Sequence, residues 1–146
     1  MSDINIVSID PITRRIRYSF NIIPHRTSGI EGLLQLCAKT ILSTPGSDKF
    51  AKNYGGGLRT YTSNSLFVNN ISDIAADMAY IISKSENLIK SEQSTKNVPI
   101  EERLRSMALH SVEYLEKEDA IDVRVDIESE AGECANLSLA NQVRFK

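Results

Sequence analysis

Three consecutive glycines, Gly55-Gly56-Gly57, set between Tyr54 and Leu58, constrain this chain more than any other stretch. Only glycine enters the left-handed backbone region freely or lets another backbone approach where a Cβ would stand. Upstream, Ile30, Leu33, Leu34, Cys37 and Ile41 recur at 3.6-residue spacing, with Leu36 and Leu42 widening the stripe, and predict a buried helical face. Ser28 and Glu31 have the spacing of a capping box that would fix the start of this helix. Thr44-Pro45-Gly46 ends it, since Pro45 disfavours helical geometry at Thr44 and has no amide to donate. A phosphate loop needs spaced glycines with a lysine and a hydroxyl opening a helix, and Leu58-Arg59-Thr60-Tyr61 does not carry that arrangement. The glycines are therefore expected to serve a positive-φ turn or a close backbone approach, not a ligand.

Thr44-Pro45-Gly46, a polar connector, and Tyr54-Gly55-Gly56-Gly57-Leu58 together resemble the signature of the contractile-tail baseplate wedge and sheath-initiator family. That pattern is Thr-Pro-x-Gly, a polar connector, then Phe-Gly-x-Gly-Leu, and the family includes a homologous baseplate subunit of type VI secretion systems. Here Tyr54 stands at the Phe position, and Ser47-Asp48 replaces the usual Glu-Arg. The resemblance implies a structural subunit of a phage tail baseplate in the virion, made in the host cytoplasm and present in six copies. It implies wedge proteins and the sheath protein as partners, with the tail tube or hub as further candidates, and sheath growth started by strand exchange. It implies no enzymatic activity and no cofactor.

Length and charge bound the alternatives. At 146 residues the chain is expected to form one domain with a real core. A hydrophobic content of 41% and a net charge of −2 imply no global attraction to nucleic acid or anionic lipid, and no apolar run approaches the roughly 20 residues that span a bilayer. The opening Met1-Ser2-Asp3-Ile4 lacks a signal-peptide pattern, so Cys37 and Cys134 are expected as reduced thiols in the cytosol.

Along the chain, Ile4 to Ile9 and the alternating Arg15 to Ile22, joined at Asp10-Pro11-Ile12-Thr13, read as an N-terminal β-hairpin with one cationic face. Its arginines, with His25 and Arg26, lack interleaved stacking aromatics and read as a solvated or protein-facing strip, not a nucleic-acid site. A long helix is expected from Ile71, with Ile74, Ala75, Met78, Ile81, Ile82 and Ile89 inward and Asn70 and Asp73 at its start. A second helix is expected from Pro99 to about Lys117, because Ile100, Leu104, Met107, Ala108, Ser111 and Leu115 share a helical face. The two together form a helical hairpin over 71–117. The resembling family has a single helix before its last strands, so this hairpin reads as an insertion. The family also carries Glu-Pro-Arg between that helix and the following strand; the corresponding place is taken here as Glu118-Asp119-Ala120.

Ile121, Val123, Val125 and Ile127 then alternate with Asp122, Arg124, Asp126 and Glu128, and after the turn at Glu130 to Glu133, Ala135, Leu137 and Leu139 return as a second strand. A two-stranded hairpin leaves an unpaired edge, so these seven apolar positions are expected to mark the strands that meet sheath or wedge subunits by β-augmentation. The fold class is therefore α+β, a central apolar helix and a helical hairpin on a small, mostly antiparallel sheet. A peptidoglycan-cleaving, lysozyme-like tail enzyme is the alternative from another class; it needs two carboxyl groups at a set separation. Glu31, Glu101, Glu102 and Glu113 sit in no context that would raise a carboxyl pKa. No histidine lies beside the serines near Ser63 in sequence, and the two cysteines and two histidines lack zinc-ligand spacing.

Overall fold

Helices α1 (Ile30–Leu42) and α2 (Ile71–Ser94) lie on one face of an antiparallel sheet ordered β3-β4-β5, with β3 at Leu104–Leu115, β4 at Ala120–Ser129 and β5 at Cys134–Gln142. A separate two-stranded sheet pairs β1 (Val7–Ile9) with β2 (Ile16–Tyr18). The computed structural model describes residues 7–9, 16–18, 27–60, 71–115 and 120–142. The chain is a single α+β domain, as the sequence pattern predicts. The expected N-terminal hairpin pairs with Val7 opposite Tyr18 and Ile9 opposite Ile16; its turn, His25, Arg26, Ser63 and Asn70 lie outside the described residues.

Each helix turns its apolar stripe to the sheet. From α1 come Leu33, Leu34, Cys37, Ala38 and Ile41; from α2 come Ile74, Met78, Ile81, Ile82 and Ile89. They meet Val123, Val125 and Ile127 of β4 and Leu137 and Leu139 of β5 in one core. Helix α2 covers β3, while α1 lies over β4 and β5. The opposite face of the sheet is polar, and its side chains pair both across strands and along β4. Arg105 Nη1 donates to Glu128 Oε1 at 3.0 Å, His110 Nδ1 lies 2.9 Å from Asp126 Oδ2, and Arg124 Nε donates to Asp122 Oδ2 at 3.2 Å. Asp122 is only 3% exposed, and its other oxygen accepts from Ser138 Oγ at 2.5 Å. Alternation predicts a solvated carboxylate there; the fold instead buries it with both oxygens bonded, as a buried charge requires.

Two sequence expectations are corrected. The helix expected from Pro99 to Lys117 is absent, because residues 104–115 are strand β3, antiparallel to β4 with Met107 opposite Ile127 and Val112 opposite Val123. No helical hairpin spans 71–117: among the described residues of that span, α2 is the one helix, and β3 follows it. The cause of the misreading is local. Irregularities in pairing between Leu104 and Ser106 and between Leu109 and Ser111 insert extra residues, so the inward side chains Leu104, Met107, Leu109 and Val112 recur at three, two and three positions. That spacing averages closer to a helix than a strand of period 2 should.

The second correction concerns the start of α1. The cap position is Gly29, at φ +62°, with no side-chain cap bond, so the Ser28–Glu31 box does not form. Tertiary structure supplies the acceptor instead: Glu102 Oε1 takes the Gly29 amide at 3.2 Å from 73 residues away.

Because Ile127 is 1% exposed at the centre of the core, Ile127→Ala is expected to cost about 2–5 kcal/mol in urea unfolding. Arg105→Ala, which removes an exposed ion pair, is expected to cost no more than about 1 kcal/mol.

Candidate functional site

The glycine run closes against the C-terminal end of α1. A helix end leaves carbonyls with no intrahelical donor. Gly56 N donates to Thr40 O at 2.8 Å and Gly57 N to Ser43 O at 2.9 Å, so the loop satisfies two carbonyls of that end. The approach is too close for side chains. A Cβ on Gly55 (φ +122°) would lie 2.2 Å from Ser43 O, and one on Gly56 would lie 2.4 Å from Ser85 Oγ of α2 and 3.0 Å from Ile41 O. Tyr54 adds a side-chain tie, its hydroxyl 2.7 Å from Thr40 Oγ1, and Leu58 follows into the core at 1% exposure. Pro45 packs on the other side, with its Cδ 3.3 Å from the place a Gly57 Cβ would occupy. Thr44, Pro45, Gly46 and Tyr54 to Leu58 thus form one structural clasp, in which the glycines serve packing as the sequence predicts.

Burial pushes two groups of this region up. Cys37, beneath the clasp, is raised to about 12, chiefly by burial and then by the charge of Glu86. Tyr54 is raised by burial first, against the opposing Thr40 hydrogen bond.

A second constellation, unrecognised in the sequence, joins α2 to the sheet. Gln93, 7% exposed, donates from Nε2 to Glu102 O at 2.9 Å and accepts Leu104 N on Oε1 at 2.8 Å. Arg103 donates from Nη2 to Val98 O at 3.0 Å, and its own carbonyl accepts the Glu130 amide at 2.9 Å. Glu102 reaches the start of α1 as described. The short segment Glu101-Glu102-Arg103 therefore ties together both helices and the turn between β4 and β5. Beside it opens a cavity of about 180 Å³ lined by Leu33, Leu36 and Lys39 of α1, Lys96, Pro99 and Glu102. This is roughly the volume that holds one aromatic ring. A glutamine placed as Gln93 is, after the fact, a readable signal: a buried polar residue on the apolar stripe of a helix must be answering backbone groups elsewhere.

Of the residues expected on a partner-facing hairpin, those of β4 lie inside the sheet and those of β5 on an outer strand, with their side chains turned to the core. Ile121, Val123, Val125, Ile127, Leu137 and Leu139 are 0–4% exposed in the chain's own core, and Ala135 is half-buried against it. Strand β4 is paired on both sides, to β3 and to β5, so it has no edge to offer. Strand β2 lies beside β5. The open edges belong to β3 and β5: among the described residues, no strand pairs with either on its side away from β4.

No group of three or more His, Cys, Asp or Glu side chains is arranged for a metal among the described residues, and no helix there is long and apolar enough to cross a membrane. No protein-family model and no curated protein matches the chain.

Alanine at the glycines should follow the geometry. Gly55→Ala and Gly56→Ala are expected to cost about 1–3 kcal/mol or more, from overpacking against backbone with left-handed strain added at Gly55. Gly46→Ala, at φ +88° but with open space around it, is expected to cost about 1 kcal/mol, and Ser85→Ala should recover part of the Gly56→Ala loss. Denaturant midpoints of the four variants check this order. A parallel thiol titration should find Cys134 reactive in the folded protein and Cys37 only after unfolding. Because folding raises the Cys37 pKa from 9.0 to about 12, the unfolded chain loses that proton first, and stability should fall as pH rises from about 9 towards 12.

Proposed function

We propose that this chain is a structural subunit of a contractile-tail baseplate, a phage tail or the related type VI machine, which joins the wedge around the tail tube and starts sheath growth by accepting a strand from a sheath subunit. The observation that carries the reading is the position of Glu101-Glu102-Arg103. The resembling family has one helix, then Glu-Pro-Arg, then its last strands. With 104–115 a strand, the segment between α2 and β3 contains Glu-Glu-Arg immediately before Leu104, in place of the Glu118-Asp119-Ala120 alignment that a second helix would have required. The resemblance then extends from the Thr-Pro-Gly and glycine signature to the helix–sheet junction, and no insertion is needed. The glycine clasp is in keeping with it: the signature holds a scaffold together, with the Gly56 and Gly57 amides taken up by carbonyls at the end of α1.

The strand acceptor in this reading is β3. An edge of twelve residues offers unpaired amides and carbonyls, and main-chain hydrogen bonds to an added strand supply affinity without side-chain identity. The two irregularities in β3 and the polar residues Arg105, His110 and Glu113 guard that edge against indiscriminate pairing.

Adjacent amides of a strand point to opposite sides, so of Val112→Pro and Glu113→Pro one breaks the ladder with β4 and the other alters only the outer edge. The variant that retains the wild-type melting temperature is the informative one. It is expected to join wedges yet fail to nucleate sheath, read by electron microscopy of assembly reactions. Wild-type nucleation by that well-folded variant would rule out β3 as the acceptor.

A further inference from the structure

The connector between the two halves of the clasp presents a single aromatic residue in a fixed frame. Phe50 is fully exposed, at 100%, the most exposed large apolar side chain among the described residues. Its position is not left to chance. Ser47 donates to Thr44 O from both its amide, at 3.1 Å, and its hydroxyl, at 2.6 Å; the Phe50 amide donates to Asp48 Oδ1 at 2.8 Å; and Tyr54 N donates to Ala51 O at 2.9 Å. Pro45 and the Gly56 and Gly57 amides anchor both ends to α1. Lys49 and Lys52 flank the ring, both exposed, and neither is ion-paired among the described residues. Elsewhere Lys90, Lys96, Arg105 and Arg124 each sit against a carboxylate, Arg103 bonds the Val98 carbonyl, and the chain as a whole carries a net charge of −2. Free positive charge and free aromatic surface therefore coincide on one pre-ordered loop.

We propose that the 47–53 loop is a docking anchor for a neighbouring baseplate protein, with Phe50 entering an apolar pocket whose rim is acidic and faces Lys49 and Lys52. The partner assignment rests on the assembly reading above. A ring carried on a pre-ordered backbone loses less conformational freedom on burial than one on a disordered loop, which is the property of an interface anchor, and the lysines steer approach to an acidic rim. A membrane surface would ask for neither a fixed frame nor a single ring.

The test uses the full chain and the purified wedge subunits of the same particle. Phe50→Ala is expected to keep the wild-type melting temperature and to bind wedges about 10–100-fold more weakly. Lys49→Glu with Lys52→Glu is expected to slow association and to abolish the weakening of binding that added salt produces in the wild type. If the wild-type chain joins no wedge, the assembly reading fails and this proposal with it. If the wild type joins and Phe50→Ala joins equally well, the anchor alone is wrong. Binding of the wild type to phosphatidylglycerol vesicles, lost in both variants, would overturn the protein partner in favour of a lipid surface.

Discussion

The closure of Gly55-Gly56-Gly57 onto the end of α1 is the contact on which the rest of the arrangement depends. Two glycine amides meet the Thr40 and Ser43 carbonyls, and the Gly56 backbone also lies against Ser85 of α2, so the loop sits where both helices would otherwise leave a gap. A Cβ at Gly55 or Gly56 would push against backbone, which cannot swing aside as a flexible side chain can. The clasp sets where Leu58 enters the core and holds the ends of the connector that carries Phe50. Stability and display are thus coupled in one short stretch.

At the other end of the helical layer, Gln93 and Glu102 play the corresponding part. One amide side chain bonds the carbonyl of Glu102 and the amide of Leu104, and the Glu102 carboxylate reaches the first turn of α1. Buried polar groups of this kind are costly unless each is answered, and here the answering groups are backbone atoms at the start of β3. The junction therefore ties the position of β3 to the two helices before any side chain of the strand packs. The cavity beside it, bounded by Lys39, Lys96 and Glu102, opens where three elements meet around a glycine, Gly32, and not around a large side chain.

The sheet divides its roles by face and by edge. Its inner face is apolar and covered by both helices; its outer face carries polar pairs, Arg105–Glu128 and His110–Asp126 across strands and Arg124–Asp122 along β4; β4 is sealed on both sides. Among the described residues, what remains unpaired is the outer side of β3 and that of β5. In the assembly role proposed above, a strand edge guarded by bulges and charge would be a surface that stays available in the monomer without unfolding it. The Phe50 loop stands in another part of the chain, on the connector after α1, so a wedge contact there and a sheath contact at β3 would use different elements.

Much of this was legible in the residues. The stripes of α1 and of α2, the alternation of β4 with its return along β5, and the packing role of the glycines all follow from local periodicity and from the unique backbone freedom of glycine. Tertiary structure alone decided three things. Leu104 to Leu115, rich in helix formers and spaced by bulges, became a strand because Gln93 holds its first amide and β4 offers a full ladder. Val125 changed from a candidate edge to the centre of the sheet, since strand order depends on partners distant in sequence. The start of α1 took its acceptor from Glu102 and not from Ser28, because once folded the nearer group in space was 73 residues away along the chain. Local pattern determines which segments can be helix or strand; which edges, caps and cavities are left over is settled only when those segments meet.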